Sequence, residues 1–432
     1  MHDFHYIGSQ LACEGVLLAT LVERFGTPLY VYSQHTLTDH FEKLHQAFAP
    51  VEHLICYALK ANSNAAVLRT LANMGSGFDI VSEGELRRVI AAGGDPRRCV
   101  FAGVGKTERE IAFALEQDIY SFNIESEPEL ARINQIAAKL GRIAPVAVRV
   151  NPNVDAHTHA KVTTGTYQNK FGIAFEQVEA VYGRASKLKH VRLRGVQMHI
   201  GSQITDIQPF EAAVKRIAPL AVKLAARHGL EFFSLGGGIG IIYQSALASG
   251  SMEWWRSAKA RRLLTPARYA ARLLPLLQSL QLKILIEPGR FIVGNAGILV
   301  ARVEYVKRTG KKNFVIVDAA MNDLIRPAFY GSYHEIVPLT KRNGAVIKSD
   351  VVGPICESGD YFAKDRPLPK VEAGECLAVL SAGAYGSVMA SNYNSRALAA
   401  EVLVHGNKAA LVRTRQPLEQ IWAGETVPPW LQ

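Results

Sequence analysis

Lys60 is the residue whose type and position first suggest chemistry. It lies in the segment YALKAN at 57–62, which closes an apolar run, 53–60, with the length and composition of a buried strand. An ammonium buried without a partner is unfavourable, whereas an amine that loses its proton readily can attack a carbonyl carbon and form a Schiff base. The segment therefore indicates a nucleophilic lysine at a strand end, although such a segment taken alone more often places a lysine that extends into solvent.

Polar groups of complementary chemistry end three later apolar runs. They are His199 in HIGSQ at 199–203, the glycine triplet at 236–238, and Glu287 with Arg290 in EPGR at 287–290. Singly they are weak signals, because a histidine is often a satisfied core residue and a glycine triplet can be a tight turn. Together they match what pyridoxal phosphate requires: an amine, backbone N–H groups for a phosphate, a flat imidazole, and a carboxylate that needs a cationic partner.

These residues must be positioned by a repeating pattern of strands and helices. Eight apolar runs are predicted strands, and helical patterns with serine caps such as Ser82 and Ser126 follow them. The runs are 53–60, 77–82, 100–103, 121–126, 145–151, 193–201, 232–238 and 283–289. Eight such units predict a closed (β/α)8 barrel of the TIM type better than an open doubly wound sheet. The strands' C-terminal ends would then bring Lys60, Asp79, His199 and Glu287 to one mouth.

The alternation of predicted strands and helices ends after residue 289. Runs at 298–305, 313–317, 335–338, 346–352, 375–380 and 408–413 follow without long helices between them, which predicts an antiparallel β domain. The alternating run at 29–32 is expected to pair with it. We therefore predict a barrel at 36–292 and a β domain at 1–35 and 293–432. Two long connections, 152–171 and 239–262, follow the fifth and seventh barrel strands, and loops of that length are often functional.

Composition limits the class of protein. The 432 residues carry a net charge of +11, but the basic residues are scattered, which argues against a nucleic-acid groove and is equally compatible with an anionic substrate. Five cysteines without a C-x-x-C pair favour neither a disulfide framework nor a zinc site, so no metal is expected. The apolar run at 16–22 is too short for a signal peptide or a membrane span. We expect a cytoplasmic protein without a membrane partner.

Seven motifs occur in the order found in one enzyme family. They are YALKAN at 57–62, HIGSQ at 199–203, GGG at 236–238, EPGR at 287–290, RPAFY at 326–330, CES at 356–358 and GAYG at 383–386. Over nearly its whole length the chain resembles the diaminopimelate decarboxylases, pyridoxal-phosphate enzymes of fold type III with a barrel and a β domain. The departures, such as Phe78, Glu83, Ala397 and the missing proline at 241–243, affect loop shape rather than chemistry.

The resemblance implies a role for each motif residue. Lys60 would form the Schiff base, Glu287 would keep the ring nitrogen protonated, and His199 would stack on the ring. The cofactor would also be bound by Asp79, Ser202, Gly236, Gly237, Gly238, Gly289, Arg290 and Tyr385. The substrate-binding set would be Arg290, Arg326, Tyr330, Glu357 and Tyr385. Cys356 would be a proton donor supplied by the partner subunit, so the resemblance implies a homodimer with shared active sites.

The resemblance also implies a reaction, the decarboxylation of the amino diacid meso-2,6-diaminopimelate to L-lysine and carbon dioxide, the last step of lysine biosynthesis. Two alternatives stay open. A related decarboxylase could act on ornithine, arginine or carboxynorspermidine, but a simple diamine substrate would not need Arg326 for a distal carboxylate. A non-catalytic decarboxylase-like binding or regulatory protein is the second alternative, and the presence of both Lys60 and Cys356 argues against it.

Overall fold

The computed structural model describes residues 1–155, 165, 169–258, 260 and 263–431. Most of the predicted connection 152–171, and part of the end of 239–262, lie outside the described residues. The strands are β1 (Phe4–Ile7), β2 (Gln10–Cys13), β3 (Val16–Leu17), β4 (Leu29–Ser33), β5 (His53–Ala58), β6 (Gly77–Ile80), β7 (Cys99–Phe101), β8 (Ser121–Ile124), β9 (Ala144–Asn151), β10 (Ile173–Ala174), β11 (Val191–Met198), β12 (Phe232–Ser234), β13 (Lys283–Ile286), β14 (Gly297–Arg308), β15 (Asn313–Val317), β16 (Ile336–Pro338), β17 (Val346–Val352), β18 (Tyr361–Pro369), β19 (Cys376–Val379), β20 (Ala400–His405) and β21 (Lys408–Arg413). The α-helices are α1 (Leu18–Phe25), α2 (Gln34–Phe48), α3 (Ala65–Asn73), α4 (Glu83–Ala91), α5 (Glu108–Glu116), α6 (Glu127–Lys139), α7 (Val178–Ala185), α8 (Gln208–His228), α9 (Met252–Arg256), α10 (Pro266–Leu277), α11 (Arg290–Val293) and α12 (Arg326–Tyr330).

The chain forms two compact units. The barrel unit comprises Leu37–Ile241 and Ala258–Ile292, and the sheet unit comprises Met1–Thr36, Ile242–Ser257 and Val293–Gln432. The segment Ile242–Ser257 therefore differs from the predicted division, which placed it in the barrel. The reason is packing, since Ala246 belongs to a hydrophobic cluster of the sheet unit and its carbonyl oxygen lies 2.6 Å from Nε2 of His2.

The barrel unit is a closed ring of eight parallel strands. Their order is β5-β6-β7-β8-β9-β11-β12-β13, and β13 pairs with β5 to close the ring. Each of the eight predicted runs overlaps one of these strands, so the predicted (β/α)8 barrel is confirmed. Seven of the eight strands end two to four residues before the predicted run does, because the last residues of those runs lie in the connecting loops; β9 ends at Asn151 as predicted. Those loops carry the residues of chemical interest.

The predicted serine caps begin the helices that follow β6 and β8. Ser82 accepts a hydrogen bond from the backbone N–H of Glu85 at the start of α4, and Ser126 accepts one from Glu129 at the start of α6. Each hydroxyl satisfies one of the N–H groups that the first helical turn leaves without a partner. The helix starts were therefore correctly predicted from local sequence.

The sheet unit is built on a long sheet with the order β18-β17-β15-β14-β4-β20-β21, and β4 lies near its centre. Alternate residues of β4 face opposite sides, so that Tyr30 packs in one hydrophobic cluster and Val31 in the other. Burial on both faces explains why the residues at 29–32 of this strand are all aliphatic or aromatic. The predicted pairing of the run at 29–32 with this unit is confirmed.

The sheet is mixed rather than purely antiparallel, which corrects one detail of the prediction. β4 pairs with β20 in parallel, and β15 pairs with β17 in parallel. Parallel pairs need a long connection, and here the barrel unit lies between β4 and β20 in the sequence, while α12 and β16 lie between β15 and β17. Two strands of this sheet, β18 and β20, were also missed, as were β1, β2 and β3, which form a separate antiparallel sheet.

Among the helices in the described part of the chain, none is both long enough and apolar enough to cross a lipid bilayer.

Candidate active site

Lys60 lies in a short 3-10 turn, Leu59–Ala61, directly after β5. The buried Tyr57 fixes this turn, because its hydroxyl donates a hydrogen bond of 2.9 Å to the carbonyl oxygen of Asn62. The Lys60 amine forms an ion pair with the carboxylate of Asp79, on the neighbouring strand β6, and the Asp79 side chain is buried. The amine is thus held against a buried anion, although the lysine side chain remains 37% exposed and accessible to a ligand.

Glu287 follows β13 and has three neutral hydrogen-bond donors. The Ser234 hydroxyl donates to Oε1 at 2.7 Å, the Gln197 amide donates to Oε2 at 2.9 Å, and the Asn123 amide donates to Oε1 at 3.3 Å. Burial raises the pKa of Glu287 from 4.5 to about 7, and the negative charge of Asp79 also raises it. The hydrogen bonds from Ser234 and Gln197 and the positive charge of Lys60 lower the pKa but do not outweigh burial. A buried carboxylate in this state is suited to pairing with a protonated ring nitrogen.

The raised pKa of Glu287 gives a testable pH dependence. The folded chain binds this proton more tightly than the unfolded chain does, so the contribution of Glu287 to stability is present at low pH and is lost as pH rises from about 4.5 to about 7. The loss amounts to roughly 3 kcal/mol in the cofactor-free protein. We expect the urea-unfolding midpoint of the unaltered protein to fall relative to that of Glu287→Gln between about pH 5 and pH 8. Parallel pH profiles for the two proteins would contradict the raised pKa.

His199 follows β11 and is held as a neutral imidazole. Its Nδ1 accepts a hydrogen bond of 3.1 Å from the backbone N–H of Gly237, so the ring proton lies on Nε2. Burial lowers the pKa of His199 well below 6.5, and the positive charges of Arg149 and Lys60 lower it further. The ring is therefore fixed in orientation and uncharged, as a surface that contacts a flat ligand would be.

The glycine loop after β12 is packed too tightly for any other residue. A Cβ atom at Gly236 would lie 2.2 Å from the carbonyl oxygen of Met198, and one at Gly237 would lie 2.2 Å from that of Glu287. The Gly236 and Gly237 N–H groups donate within the protein, to Ser234 and His199 respectively.

Two other backbone groups are better placed to bind an anion. Within the described part of the chain, the N–H groups of Gly238 and Gly289 make no hydrogen bond. Next to Gly289, the guanidinium of Arg290 donates to the Ser202 hydroxyl at 3.1 Å. Two donor N–H groups, a hydroxyl and a guanidinium are the groups that hold a phosphate.

The remaining predicted residues belong to the sheet unit. Arg326 and Tyr330 are the first and last residues of α12, and Arg326 is buried. Cys356 and Glu357 are exposed between β17 and β18, where the Tyr393 hydroxyl donates to Glu357 at 3.0 Å. Tyr385 follows β19 in a left-handed backbone conformation, with φ of 57°.

Comparison with known proteins identifies the family. Residues 34–294, more than half of the chain, match the family described as pyridoxal-dependent decarboxylase, pyridoxal binding domain. The diaminopimelate decarboxylase of Pseudomonas aeruginosa is 48% identical over 430 residues, which cover 99% of this chain and 100% of that protein. The chain belongs to the diaminopimelate decarboxylase family. Like the other members, it is a pyridoxal-phosphate protein.

Solved diaminopimelate decarboxylases have the same fold. The enzyme from M. jannaschii in complex with L-lysine aligns with a TM-score of 0.91 at 35% identity, covering 100% of both chains. The enzyme from Helicobacter pylori, also in complex with L-lysine, aligns with a TM-score of 0.87 at 40% identity and covers 94% of this chain and 98% of that one. Both alignments extend over the barrel and sheet units.

The residues of the barrel mouth fit the cofactor of the diaminopimelate decarboxylases. Lys60 provides the amine. Glu287 provides a buried carboxylate that has no cationic partner at hydrogen-bond distance among the described residues. The N–H groups of Gly238 and Gly289 provide two donors for a phosphate. Lys60 follows β5, Gly238 follows β12, and both Glu287 and Gly289 follow β13; the C-terminal ends of these three strands are neighbours in the barrel.

Sequence analysis missed several residues that support those of the family motifs. Asn123, Gln197 and Ser234 surround Glu287, and Tyr243 and His334 contact Arg326. Asn123, Gln197 and Ser234 do carry a sequence signal, because each is a polar residue inside an apolar barrel strand. Using it requires knowing which face of each strand points into the barrel, and this follows only from the register between strands.

Proposed function

We propose that this chain decarboxylates meso-2,6-diaminopimelate to L-lysine and carbon dioxide, with pyridoxal phosphate as cofactor. The observation that carries the proposal is the convergence of Lys60, Asp79 and Glu287 at one barrel mouth in a chain that is 48% identical, over 99% of its length, to a diaminopimelate decarboxylase. When bound, pyridoxal phosphate supplies a ring that accepts the electron pair left by the departing carboxylate.

The barrel residues would bind and orient the cofactor and control its protons. Glu287 holds a proton at the ring nitrogen, because a buried carboxylate with neutral donors pairs best with a cation. Asp79 orients the Lys60 amine. His199, fixed by the Gly237 N–H, would contact the ring of the cofactor and help to exclude water from it. The Gly238 and Gly289 N–H groups, with Arg290 and Ser202, bind the phosphate. The side chain of Tyr385 would contribute to the same phosphate site.

The sheet-unit residues would bind the substrate and complete the reaction. The Cys356 thiol gives a proton to the carbon atom that has lost its carboxylate, a step for which a thiol titrates close enough to neutral pH. The guanidinium of Arg326 would bind the distal carboxylate, together with Tyr330 of the same helix, and Glu357 would bind the distal ammonium. Arg290 of the barrel unit and Tyr385 belong to the same substrate-binding set by their motifs. A diamino diacid needs one partner for its distal carboxylate and one for its distal ammonium. A site with both partners rejects substrates that lack either group.

Arg326 distinguishes an amino diacid from a simple diamine precursor. We expect Arg326→Ala to raise KM for meso-diaminopimelate by about 10- to 100-fold, since a hydrogen bond between charged groups is lost. Cofactor binding, measured by the absorbance of the bound pyridoxal phosphate, should be unchanged. Arg308→Ala, at an exposed position of β14, is the matched control. An unchanged KM would favour a decarboxylase that acts on ornithine or a related substrate.

The direct test of the function is incubation of the purified protein with pyridoxal phosphate and meso-diaminopimelate, followed by detection of lysine and carbon dioxide. Ornithine, arginine and carboxynorspermidine are the comparison substrates. Production of lysine at a rate above those of the other substrates supports the proposal. A protein that stays colourless with added pyridoxal phosphate and turns over none of the substrates would instead be a binding or regulatory protein.

We further propose that the chain works in the cytoplasm as a homodimer with shared active sites, in which each subunit supplies Cys356 and Glu357 to its neighbour. The exposure of both residues supports this, because neither is buried within its own chain. The test unfolds Lys60→Ala and Cys356→Ala chains, each inactive alone, and refolds them together. Half of the dimers that form at random contain one chain of each kind, and in such a dimer one of the two shared sites is intact. We therefore expect about a quarter of the activity to be recovered. Self-contained sites would recover none.

A further inference from the structure

Arg326 is a buried cation that contacts three neutral side chains of the sheet unit, those of Tyr243, His334 and Ser332. It is only 5% exposed. Its Nη1 donates to the Tyr243 hydroxyl at 2.9 Å and lies 3.1 Å from Nε2 of His334, and its Nη2 donates to the Ser332 hydroxyl at 3.2 Å. The guanidinium carbon also lies 5.1 Å from the centre of the Tyr243 ring, close enough for a cation–π interaction.

The tautomer of His334 follows from the contacts of its two ring nitrogens with Leu380 and Arg326. The side chain is fully buried, and its Nδ1 lies 2.8 Å from the carbonyl oxygen of Leu380. A carbonyl oxygen can only accept, so Nδ1 must carry the proton. Nε2 then keeps its lone pair and accepts the hydrogen bond from Arg326. His334 is therefore a neutral acceptor fixed by the backbone, and its ring meets the Tyr243 ring edge to face at 5.2 Å.

We propose that Tyr243 and His334 are positioning residues that set the orientation of the Arg326 guanidinium for the distal carboxylate of the substrate. The inference rests on the function proposed above. Neither residue lies in any of the seven family motifs, and Tyr243 comes from the segment that joins the sheet unit from within the barrel sequence. The Tyr243 hydroxyl and the His334 imidazole accept hydrogen bonds from the guanidinium and bring no negative charge of their own, so they can fix its orientation without neutralising it.

The test compares substrate affinity and turnover in variants of these two residues. Tyr243→Phe removes one hydroxyl and keeps the ring, His334→Leu removes the acceptor, and His334→Gln retains one donor and one acceptor. We expect the first two to raise KM for meso-diaminopimelate by about tenfold with kcat within about twofold, and His334→Gln to restore most of the affinity. Tyr6→Phe, which also removes one tyrosine hydroxyl of the sheet unit, one that donates to the carbonyl oxygen of Pro338, is the matched control and should leave KM unchanged.

A double-mutant cycle separates positioning from a general structural effect. In an Arg326→Ala background, Tyr243→Phe should change KM no further, because the group it positions is absent. Additive effects, or an unchanged KM in both Tyr243→Phe and His334→Leu, would overturn the inference while leaving the proposed function intact. If His334→Leu fails to fold, Tyr243→Phe alone decides. An unaltered chain that forms no lysine would overturn both the function and this inference.

Discussion

We expect Lys60→Ala to lower kcat for the decarboxylation of meso-diaminopimelate by about 10³-fold or more. The Lys60 amine is paired with the buried carboxylate of Asp79, and the lysine side chain is 37% exposed, so a ligand can reach it. Loading the unaltered protein with pyridoxal phosphate, reducing it with borohydride and digesting it should place a phosphopyridoxyl group on the Lys60 peptide. The variant should carry no such group.

A second buried lysine provides a control for this experiment. Lys106 is almost completely buried, and its ammonium donates to the carbonyl oxygens of Gly103 and Asn123 at 2.7 and 3.0 Å and to the Glu129 carboxylate at 2.6 Å. All three of its N–H groups are therefore used, and it should remain unmodified. Lys43→Ala, at an exposed position of α2, should keep full activity. A tag on Lys106, or turnover by Lys60→Ala at the unaltered rate, would contradict the assignment of Lys60.

We expect Glu287→Gln to lower kcat by about 10²-fold while the cofactor stays bound. The substitution keeps the size of the side chain and an oxygen atom for the Ser234 hydroxyl, but it removes the negative charge that keeps a proton on the ring nitrogen. The absorbance of the loaded protein measures occupancy, and single-turnover kinetics measure the chemical step.

The supporting donors offer a graded control for Glu287. Gln197→Met removes one hydrogen bond to Oε2 and leaves the carboxylate in place, so it should lower kcat less than Glu287→Gln does. Equal activity of Glu287→Gln and the unaltered protein, at full cofactor occupancy, would mean that Glu287 is a structural carboxylate and that the ring proton is held elsewhere.

The barrel could be predicted from sequence because its signals are local. Each of its strands is an apolar run ended by polar or small residues, and caps such as Ser82 and Ser126 mark the next helices. β18 was missed for an equally local reason, since Pro367 and Pro369 argue against a strand. The structure places β18 at the sheet edge, where missing N–H groups are tolerated.

The candidate site could be predicted only in part. The family motifs gave Lys60 and Glu287, which the structure brings to one barrel mouth. The groups that tune them could not be found, because Asn123, Gln197 and Ser234 are distant in sequence and meet only when three strands pair in register. The same is true of Tyr243, which is 83 residues from Arg326.

The central position of β4 has a consequence for the newly made chain. β4 is synthesised near the start, yet its two neighbours, β14 and β20, emerge from the ribosome only after the barrel sequence. Until residue 405 is released, one side of an apolar strand has open N–H and C=O groups, which invites association with other chains. Premature termination anywhere before β20 should therefore yield aggregates rather than a smaller folded enzyme, and chaperone capture during translation would protect the nascent polypeptide.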